Sequence, residues 1–195
     1  DGIRIDKNSS DISITGNSIK NMSRNGIVVY EQSSLSNIVN NNIKKCSKSG
    51  IKLTEHSLCT NDVTNNIIKN CSAGGLIVEN DSSVGDIIEN TISAVSGNPA
   101  IKINNMSTAR YINSNQISDM GNYGKKQISS GIAISGRSTS KGIEGNRIYA
   151  SKSKYSSGYG ILIDSDSRLS ESISNNTIAN TSEYSIAVQR SSKIA

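Results

Sequence analysis

The chain has no Phe and no Trp, a single Pro and a single His among 195 residues, and only seven Tyr. A core cannot be built on large rings, so it must rest on Ile, Val and Leu in small, closely stacked layers. One histidine, His56, excludes any site needing two or more imidazoles. The three cysteines, Cys46, Cys59 and Cys71, are odd in number and lack a Cys-x-x-Cys spacing, which argues against a disulfide framework or a zinc site and for buried, reduced thiols. One proline and scattered glycine do not make a linker or a collagen. No apolar run approaches the roughly 18 residues of a membrane span, and the opening Asp1-Gly2-Ile3 is not a signal peptide. Ser and Asn are abundant, yet Ile recurs along the whole length, which disordered segments do not show.

What is present is a repeat. Gly2-Ile3-Arg4-Ile5, Gly26-Ile27-Val28-Val29, Gly50-Ile51-Lys52-Leu53 and Gly75-Leu76-Ile77-Val78 return as Ala100-Ile101-Lys102-Ile103, Gly131-Ile132-Ala133-Ile134, Gly160-Ile161-Leu162-Ile163 and Ser185-Ile186-Ala187-Val188. Successive starts are 24, 24, 25, 25, 31, 29 and 25 residues apart. An Asn-x-Ile signature follows each start at offset 15, through Asn17, Asn41, Asn65, Asn90, Asn115 and Asn146, and at offset 16 for Asn176. Apolar positions alternate with period two in three short stretches per repeat, which predicts three strands. Ile14, Ile38, Ile87, Ile112, Ile143 and Ile173 fill the second strand; in repeat three Asp62 takes that place, so Val63 must turn inward or the chain must bulge there. Ile19, Ile43, Ile67, Ile92, Ile117, Ile148 and Ile178 fill the third strand, followed by a column of Met22, Cys46, Cys71, Val95 and Met120.

Three strands per repeat with recurring side chains predict an all-β coil whose turns stack at about 4.8 Å, a parallel β-helix solenoid of about seven to eight coils. Asn suits a sharp corner because it tolerates a left-handed backbone and its amide can bond the amide in the next coil. Leu-x-x-Leu-x-Leu repeats and a six-residue period are both absent. These residues resemble the right-handed parallel β-helix repeats of the pectate lyase-like superfamily. The resemblance spans almost the whole chain, here read as a single domain, 1–195. It implies a first sheet at offsets 1 to 4, an Asn-bearing second turn, a variable third turn, and clefts on the outer face of the first sheet. Because that superfamily includes lyases, hydrolases, epimerases and tailspikes, the resemblance bears on fold more than on chemistry. Both ends read as mid-repeat, so the expectation is a piece of a longer chain with its caps elsewhere.

Two surfaces could carry chemistry. The third turn lengthens in repeats five and six, bringing Tyr123, Lys125, Lys126, Lys152, Lys154, Tyr155 and Tyr159, which could stack on sugar faces and meet carboxylates, sulfates or phosphates. Residues 1–99 hold 9 Lys/Arg against 10 Asp/Glu, whereas residues 100–195 hold 12 against 6, so the looped half is also the basic half. On the outer face of the first sheet, Arg4, Tyr30, Lys52, Glu79, Lys102, Asn104 and Asp164 point away from the core, with Glu31, Glu55, His56 and Asp81 in the adjoining turn. There Lys52, Glu79 and Lys102 are the candidate catalytic set for chemistry on a uronate. Glu55, Glu79 and Asp81 are candidate oxygen ligands for calcium. The enzyme signatures that the resemblance would bring are missing: no paired Asp-Asp with Gly-His-Gly, no Asp-Pro-His, no Arg-x-Pro-x-x-Arg. The reading is an extracellular or cell-surface, bacterial-type β-helix that binds an anionic polysaccharide, with lyase, epimerase or hydrolase activity as its enzymatic extension. The alternative is a noncatalytic structural or adhesive stalk. Nucleic acid ranks last as a partner, for want of any recognition motif.

Overall fold

The structure, a computed structural model, describes residues 1–120, 130–150 and 158–195. Among them every regular element is a β-strand, and all pairings are parallel, so the chain forms a β-solenoid of about seven turns. Three sheets run along it. The first stacks Ile3–Ile5, Ile27–Val29, Ile51–Leu53, Leu76–Glu79, Ile101–Asn104, Ser130–Ile134, Tyr159–Ile163 and Ile186–Val188 in sequence order. The third runs from Ser18–Met22 and Asn42–Cys46 to Thr177–Ala179, and the second closes the coil between them. Each apolar residue at offsets 1 and 3 of the first strand stacks on its counterpart in the next coil, for example Ile27 on Ile51 and Val29 on Leu53. These columns join the second- and third-strand isoleucines in one continuous core. The glycine that opens most first strands has a steric cause: a Cβ at Gly26 would lie 2.6 Å from the carbonyl oxygen of Gly50 in the next coil.

The Asn ladder is present, with one correction. In coil three the ladder residue is Asn66, not Asn65, and the inward isoleucine is Ile68, fully buried, while Ile67 is 39% exposed. Val63 does turn inward, pairing with Ile38 and Ile87, so this coil carries its extra residue ahead of the second turn and everything after it shifts by one. The rungs are Asn17, Asn41, Asn66, Asn90, Asn115, Asn146 and Asn176. The Oδ1 of Asn66 accepts both the backbone N–H and the side-chain amide of Asn41 at 3.0 Å, and Asn66 donates likewise to Asn90. Its Nδ2 also donates to the Ile38 and Thr64 carbonyls, which a tight corner would otherwise strand. A second correction concerns the backbone. The left-handed residue is not the rung but its predecessor, Gly16, Asn40, Asn65, Glu89, Ser114, Gly145 or Asn175.

The first turn holds a second ladder that the sequence reading missed. Serine occupies offset 7 in all eight repeats, from Ser9 to Ser192. Ser57 N–H donates to Ser82 Oγ, Ser82 to Ser107, Ser107 to Ser138 and Ser138 to Ser167, each at 3.1 Å. Above it each coil turns through two consecutive left-handed residues, among them Glu55-His56, Asn80-Asp81 and Asn105-Met106.

Cys46 and Cys71 lie side by side in one inward column next to Met22, as expected. Both are buried, as is Cys59. A hydrogen bond to Cys46 and burial hold the Cys71 thiol well above its ordinary range. Burial, aided by the nearby Asp62 charge, pushes Cys59 up to about 12.

Candidate functional site

A groove of about 290 Å³ runs along the outer face of the first sheet in the first four coils. Its floor includes the outward Val28 and Ile77, and its walls include Tyr30 and the third-turn residues Arg24 and Lys48. The Arg4 guanidinium lies 4.5 Å from the Tyr30 ring centroid, and Asp6 fixes both by accepting from Arg4 Nε at 2.7 Å and from the Tyr30 hydroxyl at 3.0 Å. Lys52 Nζ and Glu79 Oε1 form an ion pair at 2.7 Å across neighbouring coils. Lys48 is exposed and has no acidic partner among the described residues.

Around the third-turn corner the basic surface continues onto the outer face of the third sheet. Lys20, Lys44 and Lys69 are in register in three successive coils, one strand spacing apart, and none has an acidic partner among the described residues. Stacking like charges directly opposite one another opposes folding, so the sheet alone gives no reason for this column. Eight of the nine Lys/Arg in residues 1–99 fall on this side: Arg4 and Lys52 on the first sheet, Arg24 and Lys48 in the third turn, Lys20, Lys44, Lys45 and Lys69 on the third sheet. Asp11, Glu31, Asp62, Asp81, Asp86 and Glu89 lie elsewhere, on the first turn, the second sheet and the second turn. Asp1, Glu55 and Glu79 line the groove itself, so the unpaired cations of this half gather on the third turn and the third sheet. Signal for this existed in the sequence, but only once each charge is assigned to its offset within the repeat.

The sequence-based candidates divide. Lys52 and Glu79 come together, already paired. Lys102 stands in the same outward column as Lys52 with Ile77 between them, and its Nζ contacts Asn98 Oδ1 at 3.4 Å instead. The calcium set is not assembled: Glu79 holds Lys52, Asp81 faces His56, and Glu55 sits in the left-handed first turn. Among the described residues no three His, Cys, Asp or Glu converge as a metal site, so calcium at Glu55, Glu79 and Asp81 is withdrawn. Tyr159 is not a loop residue. It opens a first-sheet strand, half-buried, and its ring stacks on Tyr184 of the next coil at 6.3 Å. Tyr123, Lys125, Lys126, Lys152, Lys154 and Tyr155 lie outside the described residues.

A second concavity, about 440 Å³, lies over the first turn and is lined by His56, Asp81, Met106 and Arg137 with Asn80, Asn105 and Gly136. His56 Nδ1 and Asp81 Oδ2 are 3.2 Å apart. On the second sheet, by contrast, Arg110 is paired with Asp86 and Asp62, and Tyr111 donates to Glu171 at 2.7 Å with Lys141 over its ring.

Stacked parallel coils, an Asn ladder and an outer-face groove define a parallel β-helix repeat protein. Residues 1–126 match the family described as "Periplasmic copper-binding protein (NosD)", and the chain belongs to that family, whose members are right-handed β-helices of the pectate lyase-like fold. No curated protein matches the chain. Among solved structures it is similar to the catalytic domain of a GH87 alpha-1,3-glucanase in complex with nigerose, at 12% identity and a TM-score of 0.33. That match covers 97% of this chain and 56% of the other, and a likeness of this size says nothing of substrate. No helix among the described residues is long and apolar enough to cross a membrane.

The family description makes copper a question for the donors present. Cys46, Cys59 and Cys71 are sealed in the core at 1% exposure or less. The first-turn set of imidazole, carboxylate and thioether does fit copper chemically, since thioether sulfur suits Cu(I) and imidazole suits copper in either state.

Proposed function

We propose that this chain is a cell-envelope β-helix that binds a linear anionic polysaccharide without cleaving it. The observation that carries this reading is the gathering of unpaired cations, Lys48 and the Lys20, Lys44, Lys69 column, beside a groove with an apolar floor and a tyrosine wall. Sugar rings would lie against Val28, Ile77 and Tyr30, while carboxylates or sulfates meet Lys48, Arg24 and the lysine column. Catalysis gains no support from Lys52, whose ammonium is neutralised by Glu79. The Lys125, Lys126, Lys152 and Lys154 loops, with Tyr123 and Tyr155, are proposed to extend the same ligand's path rather than to form its main seat.

Titration with polygalacturonate, with a neutral glucan as control and absorbance read for unsaturated products, tests this. Binding without product is expected. Replacing Lys20, Lys44, Lys48 and Lys69 by Ser should weaken it at least about tenfold and flatten its salt dependence, because exposed charge pairs are screened. Equal affinity for the neutral glucan, or no change in the quadruple variant, would refute the reading; no binding across the panel would select the stalk.

A second reading, copper binding as the family description states it, is favoured by the imidazole, carboxylate and thioether that line one concavity over the first turn.

A further inference from the structure

We infer that His56, Asp81 and Met106 form a surface site for Cu(I). This rests on the copper reading and is independent of the glycan reading.

The three residues occupy the same position, the second left-handed residue of the first turn, in three successive coils. Their spacing is fixed by the backbone: His56 N–H donates to Asn80 O at 3.0 Å, Asp81 N–H to Asn105 O at 2.9 Å and Met106 N–H to Gly136 O at 2.8 Å. The outer two are thus two strand spacings apart, roughly 9.6 Å, with Asp81 between them. An imidazole and a flexible thioether chain can span that gap from either side and close over the carboxylate. His56 Nδ1 already stands 3.2 Å from Asp81 Oδ2, a separation two ligands of one ion can share.

Nothing in the fold calls for Met106 there. It is 51% exposed, whereas the same position in other coils holds polar side chains such as Gln32, Asp166 and Ser191. Its φ of 60° is one that Asn or Gly adopts more readily than an unbranched apolar residue. The concavity it lines also holds the chain's single imidazole. In the next coil Gly136 lies beside Asn105 without a side chain, and Arg137, exposed, takes the position after Met106 as a cation that discourages a doubly charged ion more than a singly charged one. A thioether is the donor that separates Cu(I) from zinc or calcium, which would take only His56 and Asp81.

The test is an anaerobic titration of the intact chain with Cu(I) against a chromophoric Cu(I) chelator, alongside NMR of the single histidine ring and the methionine methyls. One copper per chain is expected, with shifts at His56 and Met106 and none at Met22 or Met120. M106L and H56Q, each checked for an unchanged amide spectrum, should each lose at least about tenfold in affinity, as is typical when a metal's ligand environment is damaged. M106L should leave Zn(II) binding unaltered, and a Cys46→Ala, Cys71→Ala double variant should keep Cu(I) binding. Parent-like copper binding in M106L and H56Q, or its loss in the cysteine variant, overturns this site while leaving copper binding itself standing. No Cu(I) uptake by the parent chain overturns both.

Discussion

The two ladder-bearing corners of the coil solve one steric problem with opposite freedom outside. At the second turn the rung is Asn in every full coil, with its amide bonding a carbonyl of its own coil, one of the preceding coil and the next rung. At the first turn the buried rung is Ser, and two left-handed residues stand above it whose side chains differ from coil to coil. Repetition marks what holds the coils together. Departure from repetition at the exposed positions marks where a ligand can be specified, and there His and Met each appear once, at His56 and Met106 on either side of Asp81. The lysine column on the third sheet differs from the second-sheet charges in another way: Lys20, Lys44 and Lys69 repeat without acidic partners among the described residues, whereas Arg110 is held by Asp86 and Asp62.

The largest effect should come from the second-turn rung. Asn66→Leu leaves the amides of Asn41 and the carbonyls of Ile38 and Thr64 without partners, and should destabilise the fold by about 3 kcal/mol in urea unfolding, since each stranded buried group costs about 1–3 kcal/mol. Asn65→Gly, one residue earlier and left-handed, should change stability by less than about 0.5 kcal/mol. Ile68→Ala should cost about 3 kcal/mol and Ile67→Ala less than about 1, since only the first empties a core site. Equal losses within either pair would break the assigned register of coil three.

A smaller effect is expected in alkali. Cys59 ionises near 12 in the folded chain and at the ordinary thiol value when unfolded. Its raised folded value means the stabilisation is complete below about pH 9 and is lost as pH climbs toward 12, because the folded state then holds a proton the unfolded state has released. Stability should fall by about 1 kcal/mol per pH unit in that window, and Cys59→Ala should flatten the slope relative to the parent. The first-turn rung should matter less than the second-turn rung: Ser82→Ala removes the acceptor for Ser57 N–H and should cost about 1 kcal/mol by thermal unfolding. A loss as large as that of Asn66→Leu would erase the distinction between the corners.

The period, the three strands, the inward columns and the Cys46–Cys71 neighbourhood could all be read from offsets, because a stacked coil maps position in the repeat directly onto position in space. Coil three resisted because Asn65-Asn66 and Ile67-Ile68 are doubled, so either register satisfies the pattern. The displaced Asp62-Val63 was the sign that an extra residue had entered upstream. The serine ladder was equally periodic but hidden by the abundance of serine. Counting charge by halves of the chain concealed the basic side, since acids on other faces cancelled the sum. Which cations stay unpaired depends on side-chain reach, as with Lys52 and Glu79, and offsets do not encode that.

The central claim is that the ligand surface lies on the groove and third-turn side of the first coils. Amide NMR during titration with a short polygalacturonate oligomer tests it most directly. The account predicts shifts concentrated around Arg24, Tyr30, Lys44, Lys48 and Lys52. Shifts confined to residues 121–127 and 151–157, with those amides unmoved, would contradict it.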